Sequence, residues 1–210
     1  MKFHKGLYVI TPEGLIDDSQ AIEKVKSAIE GGAKIVQFRQ KAITNLKKSI
    51  SFARDLKDIC QELKTTLIIN DNLELTEEID ADGIHLGKND VTYEYARRRL
   101  GGDKIIGISC YNQPELAIKA EKSGANYIAL GSFFPSITKP KASICNLSTL
   151  EETHKKINIP IVAIGGISNK NGLQLIRKGA HNLACISDIF YDTNIQNAAQ
   201  RIASLFIKER

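Results

Sequence analysis

The sequence predicts an α/β fold in which eight parallel strands, each followed by a helical segment, close into a single (β/α)8 TIM barrel. Short apolar runs recur about every 25 residues, and most intervals between them have a helical pattern. The length of 210 residues suits a barrel of this kind. The predicted strands are Leu7–Ile10, Ile35–Phe38, Leu67–Ile69, Gly83–Leu86, Ile105–Ile108, Tyr127–Leu130, Ile161–Ile164 and Ala184–Ile186.

Capping signals predict the helices of the first half. The first helix is expected around Ser19–Glu30, with Asp17, Asp18 or Ser19 as its cap and Gly31-Gly32 at its end. Asn45 precedes a helix that reaches about Leu63. A short helix follows the third strand, which leads into Asn70-Asp71, and the fourth strand leads into the loop Leu86–Asp90.

Proline and glycine mark the elements of the second half. Strand five is expected to stop at Ser109-Cys110, and Pro114 suits the first turn of a helix that Gly124 ends. The sixth strand opens into the longest loop. Strand seven ends in Gly165-Gly166, with a helix start at Ser168 and Asn169, and strand eight ends in Ser187-Asp188.

The bulk composition predicts one soluble, cytoplasmic domain over residues 1–210. No apolar run reaches the roughly 20 residues of a membrane span, and the N-terminus leads directly into the first strand without a signal peptide. The four cysteines lie far apart, which disfavours a disulfide framework or a structural zinc site. The net charge of +5 is modest, so we expect small-molecule ligands rather than nucleic acid or membrane. A homo-oligomer is left open.

Polar residues at the ends of strands two, three and four are the first candidate site. Gln37, Arg39 and Lys41 alternate along an extended segment, so all three side chains can face one side and suit an anionic ligand with a hydrogen-bonding ring. Surface charge is the alternative. Asp71 and Asp90 offer carboxylates from adjacent loops, as Mg²⁺ sites with substrate phosphates require, although either could instead cap a helix.

The ends of strands six to eight predict a phosphate site. Ser136, Thr138 and Lys139 combine two hydroxyls with an ammonium group in the loop after strand six. Glycines at Gly165-Gly166 let the backbone approach an anion, and Ile186-Ser187 follows strand eight. Loops after the seventh and eighth strands of this fold often bind phosphate.

These segments together resemble the thiamine phosphate synthase family from Gly6 to about Phe190. In that family a pyrimidine diphosphate and a thiazole phosphate are joined, with Mg²⁺, to give thiamine phosphate and pyrophosphate. The segments that carry the resemblance are Gln37-Phe38-Arg39-Gln40-Lys41, Asn70-Asp71, the run from Asp82 to Asp90, the run from Gly131 to Pro140, and Val162-Ala163-Ile164-Gly165-Gly166-Ile167.

The resemblance implies a role for each matched residue. Gln37 and Asn70 would hold the aminopyrimidine, and Asp71 and Asp90 would bind Mg²⁺. The diphosphate would be held by Arg39, Lys41 and Lys139, with Ser109 nearby, and these four form the expected catalytic set. The remaining expected substrate-binding residues are Phe38, Gln40, Ser136, Ile137, Thr138, Gly166, Ile186 and Ser187.

Two other functions stay open. A thiazole tautomerase-like relative shares the barrel but tends to lack the metal carboxylates and the strand-two cations, which this chain retains. A non-catalytic phosphate-binding barrel is the other alternative. Lys88 replaces a glutamine common in the family, Cys110-Tyr111 and Asn146 also depart from its pattern, and Ser136 stands for the usual threonine. His85 is interpreted as a structural histidine.

Overall fold

Eight parallel strands form a closed barrel in the computed structural model, which describes residues 3–41, 45–136 and 143–208. Each strand pairs with the next along the chain, and the eighth pairs with the first. The predicted fold class is therefore confirmed. The strands are β1 Gly6–Ile10, β2 Ala33–Phe38, β3 Thr66–Asn70, β4 Gly83–Leu86, β5 Ile105–Tyr111, β6 Tyr127–Gly131, β7 Ile161–Ile164 and β8 Asn182–Cys185.

Helices lie between the strands, and several begin or end at the residues that the sequence predicts. The Asn45 side chain accepts a hydrogen bond of 3.0 Å from the Lys48 N–H, and Pro114 opens a helix that ends at Gly124, which has φ 97°. The α-helices of the described residues are α1 Ala21–Glu30, α2 Leu46–Glu62, α3 Leu73–Glu78, α4 Tyr93–Leu100, α5 Pro114–Ser123, α6 Leu147–Lys156, α7 Gly172–Arg177, α8 Ser187–Phe190 and α9 Ile195–Ala203.

The boundaries of two helices differ from the prediction. Helix α1 begins at Ala21 rather than Ser19, because Asp18 accepts from the Gln20 N–H at 2.8 Å and forms a turn before the helix. Helix α7 begins at Gly172 rather than at Ser168 and Asn169. There the Asn171 side chain accepts from the Ser168 N–H at 2.8 Å, and this local turn delays the helix.

Strands β5 and β8 differ most from the prediction, and β1, β2, β3 and β6 extend beyond it by one or two residues. Strand β5 continues through Ser109 and Cys110 to Tyr111, because Ser109 and Tyr111 still pair with β6 across a register irregularity. Strand β8 begins at Asn182 and ends at Cys185, so Ile186 lies beyond the strand and caps α8.

Alternation along the strands divides the core into two layers. Side chains of one parity point into the barrel, and those of the other parity pack against the helices. The interior layer is the cluster of Tyr8, Ile10, Ile35, Ile68, Ile105, Tyr127, Ala129, Val162 and Ala184. Gln37, His85 and Ser109 share this inward parity near the carboxyl ends of their strands, so the fold directs their side chains into the barrel.

The amino end of the barrel is closed by the residues before β1. The Phe3 ring stacks on the Tyr127 ring with centroids 4.2 Å apart, and Asn182 donates to the His4 carbonyl at 2.7 Å. The barrel interior is thus covered at this end. No helix among the described residues has both the length and the apolar character needed to cross a bilayer.

Candidate active site

A cavity of about 730 Å³ lies at the carboxyl ends of the strands. This is the end at which barrels of this kind hold ligands. Ile137, Thr138 and Lys139 lie outside the described residues. The predicted site residues that line the cavity are Gln37, Arg39, Asn70, Ser109, Ser136, Gly166, Ile186 and Ser187.

The expected roles of Phe38 and Gln40 in substrate binding do not agree with where their side chains lie. The Phe38 ring packs against the Phe52 ring in the layer between barrel and helices, with centroids 5.3 Å apart. The Gln40 side chain accepts from the Ser49 hydroxyl of α2 at 2.8 Å. Neither residue lines the cavity. Their parity is opposite to that of Gln37 and Arg39, so they face the helices.

Arg39 is held at the cavity by Glu13, a residue that the sequence analysis did not identify. The Glu13 carboxylate accepts from the Arg39 guanidinium and from the Lys41 backbone N–H, each at 2.9 Å. The Thr11 hydroxyl also accepts from the Arg39 N–H at 2.9 Å. The segment after β1 therefore orients the polar end of β2, and an acidic residue after an apolar strand was the signal for it.

Lys41, Asp71 and Asp90 meet at one side of the barrel opening. The Lys41 ammonium forms an ion pair with Asp71, and the two carboxyl groups are hydrogen-bonded to each other. Helices α3 and α4 are capped by Asn72 and Thr92, so neither aspartate is a helix cap. Asp90 instead accepts from the Gly87 N–H at 2.7 Å.

The pKa values of the two aspartates shift in opposite directions. Burial raises the pKa of Asp90, and its hydrogen bond with Asp71 adds to this effect. Burial also acts to raise the pKa of Asp71, but its hydrogen bonds to Asp90 and Lys41 outweigh burial and lower it. Two carboxylates in contact repel each other, so a nearby cation stabilises the ionised form of both, and Lys41 supplies one at Asp71.

The donor set at these aspartates fits a hard divalent cation. Within the described ranges no group of three or more His, Cys, Asp or Glu side chains could hold a metal ion. Mg²⁺ needs only one or two carboxylates when substrate phosphates and water complete its octahedron. A divalent cation held by Asp71 and Asp90 would relieve the repulsion between the two carboxylates, so the pair suits Mg²⁺ bound together with a phosphorylated ligand.

A chain of hydrogen bonds crosses the floor of the cavity. Gln37 Nε2 donates to the Tyr8 oxygen at 2.8 Å, and the Tyr8 and Tyr127 oxygens lie 3.0 Å apart. His85 Nδ1 lies 2.9 Å from the Tyr127 oxygen, and its Nε2 lies 2.9 Å from Ser109 Oγ. Sequence reasoning missed this network. Its signal was tyrosine hydroxyls at the inward parity that Gln37 and His85 share.

Asn70 presents a polar group that the protein leaves unsatisfied. Its Nδ2 atom is buried and has no hydrogen-bond partner among the described residues, although the side chain lines the cavity. Buried amide donors are nearly always paired in folded proteins. Asn70 Nδ2 is therefore a donor available to a ligand with a hydrogen-bond acceptor.

The loops after β6 and β7 pack closely where the phosphate site is expected. Gly166 has φ 61°, and a Cβ atom there would lie 2.3 Å from the Pro135 carbonyl oxygen. Only glycine suits this conformation and spacing. Gly166 thus lies beside the segment that carries Ser136, and both residues line the cavity with Ile186 and Ser187.

Residues that depart from the family pattern also lie at the cavity. Lys88 and Tyr111 both line it, and the Lys88 N–H donates to the Tyr111 hydroxyl at 3.1 Å. Tyr111 adopts φ 55° at the end of β5. The strand-five extension therefore places Tyr111 beside the loop after β4.

Comparisons with known proteins agree on one family. The family model described as thiamine monophosphate synthase matches residues 7–189. A thiamine-phosphate synthase from Methylococcus capsulatus is 45% identical over 202 residues, covering 96% of this chain and 89% of the relative. One from Nitrosospira multiformis is 42% identical over 204 residues, covering 97% and 86%.

One solved structure supports the same family, and more distant structures share only the fold. A thiamine phosphate pyrophosphorylase from Pyrococcus furiosus superposes with a TM-score of 0.87 at 30% identity, covering 97% of this chain and 96% of that structure. A thiamine phosphate pyrophosphorylase from Bacteroides thetaiotaomicron, at 18% identity and a TM-score of 0.73, shares the fold.

Proposed function

This chain belongs to the thiamine monophosphate synthase family and is a transferase of thiamine biosynthesis, and we propose that Mg²⁺ and the cavity residues carry out its reaction. The substrates are 4-amino-2-methyl-5-(diphosphomethyl)pyrimidine and thiazole phosphate, and the products are thiamine phosphate and pyrophosphate. One observation carries the proposal: Lys41, Asp71 and Asp90 are in direct contact beyond the carboxyl ends of β2, β3 and β4. None of the three lines the cavity itself, but Arg39 and Asn70, which precede Lys41 and Asp71, do.

The pyrimidine is bound by the two amides that line the cavity. Gln37 Oε1 faces a ligand as an acceptor because its Nε2 donates to Tyr8, and Asn70 Nδ2 is a donor with no partner in the described part of the chain. An aminopyrimidine edge offers an amine donor next to a ring-nitrogen acceptor. Donor and acceptor therefore complement each other.

The diphosphate is held by cations and one hydroxyl. Arg39, Lys41 and Lys139 bind its oxygens, and the Ser109 hydroxyl donates to it. Bound at Asp71 and Asp90, Mg²⁺ would neutralise charge that develops on the leaving diphosphate. The C–O bond breaks with its electron pair on the diphosphate, and the 4-aminopyrimidine delocalises the positive charge left on carbon.

The thiazole phosphate is bound where the last three loops meet. Ser136, Gly166, Ile186 and Ser187 line the cavity here, and we assign Ile137 and Thr138 to the same subsite from the family resemblance. The thiazole nitrogen attacks the carbon with its own lone pair, so the protein needs no nucleophile or strong base. The protein contributes by holding the two substrates so that the thiazole nitrogen lies next to the carbon that it attacks. We assign residues 1–210 to one catalytic domain that acts in the cytoplasm on small molecules, without nucleic acid or membrane, as a possible homo-oligomer.

One assay separates this function from its alternatives. The purified protein is mixed with both phosphorylated precursors and Mg²⁺, and pyrophosphate release is followed. Release that requires both precursors supports the synthase. Isomerisation of thiazole carboxylate phosphate without release would identify a thiazole tautomerase-like relative, and neither activity would identify a non-catalytic phosphate-binding barrel. Asp71→Ala should abolish Mg²⁺-dependent release and leave the fold intact.

A further inference from the structure

We propose that the floor network of Gln37, Tyr8, Tyr127, His85 and Ser109 couples recognition of the pyrimidine amino group to the hydrogen bond given to the leaving diphosphate. All five residues line the cavity, with Gln37 and Ser109 at the two ends of the network and Tyr8, Tyr127 and His85 connecting them. This inference rests on the proposed function. Tyr8, Tyr127 and His85 are positioning residues in it.

Each phenol of the network has one proton to donate, and its hydrogen bonds within the described part of the chain are all to network members. Burial raises the pKa of both Tyr8 and Tyr127, so both stay protonated at neutral pH. Among the described residues, neither phenol oxygen has a hydrogen-bond partner outside the network. A buried hydroxyl without an acceptor is costly, so each phenol gives its proton to the next member of the chain.

With a neutral imidazole, only two directions satisfy every member. In the forward direction, Gln37 Nε2 donates to Tyr8, Tyr8 to Tyr127, and Tyr127 to His85 Nδ1, so that His85 Nε2–H donates to Ser109. The Gln37 carbonyl oxygen and the Ser109 O–H are then directed into the cavity. In the reverse direction the donor and acceptor of every hydrogen bond are exchanged. The Gln37 NH₂ group and the Ser109 lone pairs are then directed into the cavity. The structure has the forward bond at Gln37.

The substrate selects the forward direction at both ends. Its 4-amino group needs an acceptor, which is Gln37 Oε1, and its diphosphate needs a donor, which is the Ser109 O–H. A 4-oxo analogue presents a carbonyl to Gln37 and selects the reverse direction, which turns the Ser109 lone pairs toward the diphosphate oxygens. The network therefore makes the enzyme specific for 4-amino pyrimidine diphosphates through a residue, Ser109, that contacts the other end of the substrate.

The test compares kcat/KM for the 4-amino diphosphate and its 4-oxo analogue. The unmodified protein should prefer the amino substrate by more than about a hundredfold. Tyr127→Phe and Tyr8→Phe should each lower that preference by about tenfold or more, with kcat for the amino substrate falling more than KM changes. Tyr93→Phe is the matched control. Tyr93 lies on α4 outside the cavity, and its hydroxyl donates to the Gly124 carbonyl at 2.8 Å. It should leave the preference unchanged.

A second measurement needs no substitution. Protein labelled with ¹⁵N-histidine is observed with the unreactive 4-amino pyrimidine monophosphate and Mg²⁺, and the nitrogen shifts report the His85 tautomer. The proposal requires that His85 carries its proton on Nε2 and that Nδ1 is unprotonated.

Each outcome has one meaning. Absence of pyrophosphate release by the unmodified protein would refute the proposed function. Turnover with an unchanged amino-to-oxo preference in folded Tyr8→Phe and Tyr127→Phe would overturn the network and leave the function standing. Should either variant fail to fold, the tautomer decides, and a proton on His85 Nδ1 in the complex overturns the inference.

Discussion

Replacing Asn70 by leucine should stabilise the protein and impair it at the same time. The Nδ2 atom is buried and has no partner among residues 3–41, 45–136 and 143–208, and an unsatisfied amide costs about 1–3 kcal/mol. Leucine has the same branching and no polar group, so we expect the free energy of unfolding to rise by about 1 kcal/mol or more. In a chain of this size each kcal/mol raises Tm by about 2–4 °C. Loss of the pyrimidine hydrogen bond should lower kcat/KM about tenfold or more.

Asn182→Leu is the matched control for this prediction. Asn182 is also buried, and its Oδ1 likewise has no partner among the described residues, but its Nδ2 donates to the His4 and Gly6 carbonyls at 2.7 and 3.1 Å at the closed end of the barrel. Asn182→Leu breaks both hydrogen bonds and leaves the two carbonyls without this donor, which outweighs the relief of one unpaired oxygen. This substitution should therefore lower stability, and the folded fraction should keep its kcat/KM. Urea unfolding and pyrophosphate release measure the two quantities. A less stable Asn70→Leu protein, or one with unchanged kcat/KM, would refute the reasoning.

Three further predictions concern the rim of the cavity. Glu13→Gln removes the charge that orients Arg39, so KM for the pyrimidine diphosphate should change by about threefold or more while Tm stays within about 2 °C, and an unchanged KM would contradict this role. Gly166 adopts φ 61°, and the Cβ that Gly166→Ala adds would clash with the Pro135 carbonyl oxygen. The KM for thiazole phosphate should therefore rise more than the KM for the pyrimidine diphosphate. Burial raises the pKa of Asp188, so its charge destabilises the folded state above that pKa. Asp188→Asn should be more stable at pH 7, and urea unfolding should show the gain disappearing as the pH falls through the Asp188 pKa.

The spacing of apolar runs was enough to predict the barrel, because parallel strands are buried on both faces and appear in the sequence as short apolar segments. The helix boundaries at Asn45, Pro114 and Gly124 depend on neighbouring residues alone, and these predictions are confirmed. The start of α7 was not predicted, because the Asn171 side chain forms a turn with Ser168 that competes with the helix. Pairing with β6 similarly extends β5 beyond its apolar run.

The placement of the candidate site residues could be predicted where side-chain parity and strand order decide it. Gln37 and Arg39 alternate toward the cavity, and Asp71 and Asp90 follow adjacent strands, so they meet. Phe38 lies between two inward residues in sequence and faces the helices for that reason.

Long-range partners were not predicted. The Tyr8 and Tyr127 hydroxyls meet across the barrel although 119 residues separate them in the chain, and no local pattern encodes that contact. Glu13 likewise acts on residues of the next strand.

The dependence of pyrophosphate release on Mg²⁺ tests most directly whether Asp71 and Asp90 form the cation site. Asp90→Asn keeps the size of the side chain and relieves the crowding of two carboxyls, so the variant should fold. Initial rates at saturating substrates should require about tenfold or more Mg²⁺ for half-maximal activity in Asp90→Asn than in the unmodified protein. The same Mg²⁺ requirement in both proteins would contradict the account.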